Sequence, residues 1–392
     1  MANTLNLGDG NWATKKDSLL GYNSENNNFK PLPFDFTRSS SATRINKNGK
    51  IETINSGEPK IDFLGNTKGT LLLEPSRSNL ILTSARGTYG NSPASEANTT
   101  SPDGTNNAYI PTPDSASDRY EHSIGSNTYA TNTKLSYSWY RKRISTPITT
   151  SYIGDLQMNV LVNVTQVGST TQIQSDVNGF DRFQAIFNIT DGSSYTTIRA
   201  YFGTVVGIGN SSVAYFGHQL EVGNYATSYI PTQGSAVTRL ADSCDNAGND
   251  QVINSTEGVL YAEISALADD GTARYFSLNN GSSNRVRFGY GTSTNSVRLF
   301  VASTTTQVDL TVQLSDITLF NKFAIKYKAN DFAIWVNGIE VATDTNGNTP
   351  VGLVQLNFDN CCGTDNFYGN TKDLRVYNTR LTDQELQALT TI

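Results

Sequence analysis

Charge is scarce in this sequence. Only 16% of the 392 residues are Asp, Glu, Lys or Arg, against about a quarter in ordinary globular proteins, so neutral amides and hydroxyls must supply most of the solvated surface. What charge there is leans acidic, 29 Lys and Arg against 35 Asp and Glu for a net −6 at pH 7. That balance argues against a nucleic-acid backbone or an anionic membrane as the main partner. Cysteine is nearly absent: Cys244, Cys361 and Cys362 show no CxxC spacing, and adjacent cysteines rarely bridge because the ring is strained. Free thiols are expected, and a disulfide-stapled scaffold is excluded. Histidine occurs only as His122 and His218, and no G-x-S-x-G elbow exists, so nucleophilic triads lack their parts. No run approaches the roughly 18 apolar residues of a membrane-spanning helix, and residues 1–20 hold no basic stretch followed by an apolar one. Neither membrane insertion nor signal-peptide export is expected.

The apolar content of 37%, with 10% aromatic, is enough to fill cores, and a chain of this length suggests two to three domains. Short β-rich runs between Pro and Gly punctuation indicate an all-β protein. Residues 1–82 carry many turn residues and little periodicity, with short extended pieces at 50–54 and 70–74, and read as an irregular attachment or assembly segment. Residues 83–230 read as a β-sandwich of jelly-roll type, with strands at Lys134–Arg143, 157–167, Phe180–Ile189, 196–202 and Val213–Val222. In KLSYSWYRKR the alternation sets Leu135, Tyr137 and Trp139 on one face, which assigns Trp139 to the core. A polar linker spans 231–255. Residues 256–392 read as a second sandwich, marked by a hairpin in which Phe332, Ile334 and Val336 alternate, Asn337-Gly338 turns, and Ile339 and Val341 resume. Thr382 to Glu385 reads as a capping box, and Leu381, Leu386 and Leu389 form the stripe of one short C-terminal helix stapling the sandwich edge.

Three regions carry a resemblance. LPFDFTRSSSATR at 32–44, NGKIE at 48–52, PKIDF at 59–63 and LLLEPSRSNL at 71–80 resemble, in this order, the N-terminal region of tail-fibre and head-fibre virion proteins of tailed bacteriophages. QLEVGNYATSYIPT at 219–232 is similar to the exit of the carbohydrate-binding-module-like jelly rolls that follow that region, and WVNGIEV at 335–341 with FYGNTKDLRVYNTRLTDQEL at 367–386 resembles the laminin-G/concanavalin-A-like family. The resemblance implies a virion-surface protein, made in the host cytoplasm, that joins other virion proteins through its N-terminal segment. It implies a homo-oligomer, a trimer as in fibres, and sandwiches that adhere to host surface polysaccharide. A capsid or tail decoration without receptor binding is the alternative, and a polysaccharide depolymerase a further one.

Catalysis is not expected. A retaining glycosidase on a sandwich strand needs carboxylates at alternate positions, about 6.8 Å apart at Cα, whose oxygens approach to about 5 Å. Glu263 has no acidic partner two residues on, and Asp114, Asp118 and Glu121 do not alternate. His218 lies in a strand and reads as packed, and the glycines at 207 and 209 as a turn. Calcium is the one cofactor that suits sandwich loops, with Asp359, Asp365 and Asn366 as candidate ligands and Asp269 and Asp270 as candidate ligand-binding residues. The competing reading is that these acids cap turns. Trp335 is opposite in parity to Phe332, Ile334 and Val336 and is expected on the outer face, as a sugar platform or a subunit contact.

Overall fold

The computed structural model describes residues 3–29, 33–86, 88–91, 95–112, 119–121, 127–144, 156–158, 164–190, 194–195, 200–202 and 213–392. Among the described residues the protein is all-β with one short C-terminal helix, as the patterning predicts. Eight strands make one antiparallel sheet in the order Ile339–Asp344, Phe332–Val336, Asn321–Lys328, Glu257–Ala266, Gly369–Tyr377, Thr70–Leu73 and Ile61–Asp62, with Leu5–Gly8 also on Gly369–Tyr377. A second sheet runs Thr305–Gln313, Ser296–Ser303, Asn284–Tyr290, Arg274–Asn279 and Gln355–Asn357. The period-two pattern sends Leu260, Ala262, Phe323, Ile325 and Ile334 from the first sheet against Phe276, Leu278, Phe288, Leu299 and Val301 from the second, in one continuous core. The hairpin forms as read: Asn337 and Gly338 both take positive φ, 49° and 85°, the pair of left-handed residues that matches strand twist.

Residues 1–82 were expected to be irregular; instead their described stretches form nine short strands, several of them woven into this sandwich. Leu5 pairs with Val376 and Leu7 with Leu374, while Leu71 to Leu73 pair with Gly369 to Thr371. Leu5, Leu7, Leu19, Phe34, Phe36, Ile61, Leu71 and Leu73 belong to the sandwich core, each contributing on the order of 1.5–3 kcal/mol by burial. The approach is close enough that a Cβ on Gly8, at φ 104°, would lie 2.2 Å from the Lys372 carbonyl oxygen. The expected linker is also structured: Val237–Arg239 pairs with Arg77–Asn79, Ser243–Asp245 pairs with Phe34–Thr37, and Val252 and Ile253 enter the core.

The preceding β unit is built on a six-stranded sheet, Ser95–Thr99, Ala108–Thr112, Val213–Val222, Lys134–Arg143, Phe180–Ile189 and Val164–Val177. Leu135, Tyr137 and Trp139 share one buried cluster with Tyr109, Phe187 and Leu220, and Tyr140 enters a second with Phe180 and Phe216. Both faces of that strand are therefore covered. His218 is packed as expected, its Nε2 2.7 Å from the Tyr109 hydroxyl and its Nδ1 2.9 Å from that of Tyr137. Asp114, Asp118, His122 and the turn at 207–209 lie outside the described residues, as does the Glu121 side chain.

The helix Asp383–Thr390 starts on the predicted capping box, with Thr382 accepting from the Glu385 backbone and Glu385 reaching back to the Thr382 N–H. It lies on the outer face of the eight-stranded sheet rather than on an edge, since Leu381 and Leu386 pack on Val259, Tyr261, Ala324, Ala333, Trp335 and Tyr377. No helix among the described residues is long and apolar enough to cross a membrane. All three cysteines are free thiols.

Candidate functional site

The predicted site residues do not converge. Trp335 is on the outer face, as parity requires, but it is only 7% exposed because the C-terminal helix covers that face. It is a packing residue and offers no sugar platform. Asp270 holds Arg274 with two 2.8 Å bonds, and the Asp269 carboxylate accepts from the Asn295 N–H at 3.1 Å. Asp359 takes the backbone N–H groups of Cys361 and Gly363 at 2.7 and 2.5 Å, and Asp365 accepts from the Asn360 amide at 2.9 Å. Asn366 donates to the Tyr368 hydroxyl at 3.3 Å. These carboxylates accept hydrogen bonds from within the protein, and among the described residues no group of three His, Cys, Asp or Glu side chains is placed to hold a metal. Of the residues proposed for calcium, Asp359 caps its own turn and Asp365 accepts from the Asn360 side chain, as the competing reading expects.

What does converge is charge that sequence reasoning overlooked. Arg38, Lys60 and Glu74 all come from the N-terminal stretches quoted above, and they meet Arg239 and Asp242 from the former linker. Lys60 Nζ lies 2.7 Å from Glu74 and 2.6 Å from Asp242, Arg38 3.0 Å from Asp242, and Arg239 2.7 Å from Glu74, with every side chain at most 2% exposed. Glu74 also accepts from the Ser228 N–H and hydroxyl, both at 2.7 Å, in the exit segment of the six-stranded unit. Beside it, buried Glu221 accepts from the Gln219 amide at 2.8 Å, the Thr227 N–H at 2.9 Å and the Thr227 hydroxyl. The two quoted motifs are thus two halves of one junction between the β units. Burial opposes ionisation of Glu74, but Arg239 and Lys60 outweigh it and hold the carboxyl well below its usual range. The available signal was local: Glu74 ends the apolar run Leu71 to Leu73, and Lys60 precedes Ile61, in a chain that otherwise avoids charge.

Against this junction lies a cleft of about 370 Å³ between the N-terminal segment, the six-stranded sheet and the sandwich, the size of a small-ligand site. Its walls include Arg44, Asp62, Gln174, Gln184, Thr318, Phe320 and Asn370, with Tyr140 and Tyr225 contributing little exposed surface. Gln174 and Gln184 are bonded within the protein through their oxygens and Asn370 through its nitrogen, which leaves, among the described residues, two amide nitrogens as donors and one amide oxygen as acceptor, the combination that hydroxyl-rich ligands need. Asp62 and Glu74 also line it, with proton affinities pushed apart: burial raises Asp62, although the Ile45 and Leu64 N–H groups bond its two oxygens at 2.8 and 2.9 Å. Comparison with protein-family models and with curated proteins finds no match to this chain.

Proposed function

We propose that this chain is a non-enzymatic virion protein of a tailed bacteriophage whose β domains adhere to host-surface glycans. The amide-lined cleft carries the adhesion reading, because it is a concave site whose polar groups suit sugar hydroxyls. Of the residues that resemble a virion-attachment region, Arg38, Lys60 and Glu74 are committed to the junction and Phe34, Phe36, Ile61, Leu71 and Leu73 to the sandwich core. Attachment on this reading uses the surface of a folded body, not a free tail. Multiple copies on a particle raise weak sugar contacts to useful avidity.

Hydrolysis is the second reading, favoured by Asp62 and Glu74 lining one cleft with opposed proton affinities. Against it, Glu74 is buried and both its oxygens receive hydrogen bonds, one of them from two cations. That leaves a poor nucleophile or base. The test is binding of labelled protein to host cells before and after periodate oxidation of their glycans. Binding that periodate abolishes, and that Gln174→Leu with Asn370→Leu weakens, is expected; binding indifferent to periodate sinks the glycan reading. Release of new reducing ends from host polysaccharide, lost in Asp62→Asn, would establish the hydrolase instead.

A further inference from the structure

The outer face of the five-stranded sheet holds a cationic cluster unconnected with the cleft. Register places Arg287 beside Phe300 on the next strand, and alternation turns both away from the core that Val286, Phe288, Leu299 and Val301 fill. The Arg287 guanidinium carbon lies 4.2 Å from the Tyr275 ring centroid and 4.8 Å from that of Phe300. Arg285 and Arg298 flank the same Phe300 ring at 5.2 and 5.6 Å. These two have partners. Arg298 forms a two-bond pair with Asp309 at 2.7 and 2.6 Å, and Arg285 donates to the Asn360 carbonyl at 3.2 Å and to Cys361 Sγ at 3.0 Å.

Arg287 differs from both in that no hydrogen bond or ion pair reaches its guanidinium among the described residues. It is 8% exposed, and its Nε, like that of Arg285, is out of solvent without a partner. Asp309 and Asp365 are the acids whose field it shares, but Asp309 is taken up by its two-bond pair with Arg298 and Asp365 accepts from the Asn360 amide. Burial, with Arg285 and Arg298 nearby, makes the charge costly to hold. In a chain of net charge −6, this is a cation held by stacking with no carboxylate in direct contact among the described residues. The planar fork of a guanidinium fixed between two rings is preorganised for a carboxylate and poorly replaced by lysine.

We propose that this face is a second binding site, in which Arg287 takes the carboxylate of an acidic polysaccharide and Arg285, which has no acid partner among the described residues, adds to the positive field. The choice of polysaccharide rests on the adhesion reading above; the carboxylate preference rests on Arg287 alone. The experiment is affinity electrophoresis of the full chain through polygalacturonate, its fully methyl-esterified form, and dextran sulfate. Retardation by polygalacturonate at least roughly tenfold stronger than by the ester is expected, with a loss of roughly tenfold in both Arg287→Met and Arg287→Lys. If Arg287→Met does not fold, Arg287→Lys and the wild-type Arg287 15Nε shift on adding a galacturonate oligomer decide the matter. Equal retardation by acid and ester, full affinity in either folded variant, or retention by dextran sulfate alone overturns the site. Host-cell binding that stays periodate-sensitive in the face of any of those results leaves the adhesion reading standing, and its loss from wild type as well removes both.

Discussion

Glu74→Gln tests the junction most directly. In the native protein three buried cations, Arg38, Lys60 and Arg239, face two buried anions, Glu74 and Asp242. The substitution keeps shape and most hydrogen bonding but leaves three cations with one anion. Removing one partner of such a buried group costs about 3–5 kcal/mol, which multiplies the unfolded fraction by a factor on the order of 10²–10⁴. Because Glu74 contacts Arg239 and Ser228 as well as Lys60, that loss falls on the coupling between the β units. Urea unfolding followed by tryptophan fluorescence and by far-ultraviolet circular dichroism should show coincident transitions in wild type and separated ones in the variant. The pH dependence supplies an internal check. The folded pKa of Glu74 is depressed from 4.5, so its stabilisation is complete above about pH 4.5 and is lost as pH falls through the folded value. The difference between wild type and variant should therefore be greatest near neutrality and shrink in acid. A loss below about 1 kcal/mol at pH 7, or a difference that grows on acidification, would refute the reasoning.

Two further outcomes follow from the same structure. Leu386→Ala should cost about 2–5 kcal/mol and shift part of the tryptophan emission to the red, because Leu386 is part of the cover over Trp335; unchanged emission in a destabilised variant would mean that the helix does not shield that ring. Calcium and chelator should leave the thermal midpoint unchanged, since the Asp359 oxygens already accept backbone N–H groups and Asp365 an amide; a rise in midpoint on adding calcium, reversed by chelator, contradicts that.

Local chemistry was legible in the sequence and distant pairing was not. Asn337-Gly338 and the Thr382 to Glu385 box declare themselves because the residues that make the turn and the cap are neighbours in the chain. Trp139 was assigned correctly because its own strand carries enough alternation to define a face. Trp335 shows the limit: parity tells which face a side chain takes, but the cover over that face comes from Leu381 and Leu386. The strands of residues 1–82 run only two to four residues each, too short to display a period. Asp359 and Asp365 were visible as loop acids, yet whether a carboxylate points to a metal or to its own backbone is decided by turn geometry that composition does not encode. The junction was hidden for a related reason, since Lys60 and Asp242 are 182 positions apart.

The pairing of Leu5–Gly8 with Gly369–Tyr377 has a consequence for how the protein is made. Synthesis proceeds from the N-terminus, so Leu5 and Leu7 leave the ribosome long before the strand that covers them exists. Glu257–Ala266 and Thr70–Leu73 wait for the same strand. Closing so long a loop comes late and slowly, and until residue 369 is made three strands present unpaired edges to their neighbours on the polysome. A chain interrupted before that point lacks the strand to which all three bind, which makes premature termination a direct route to aggregation for this fold.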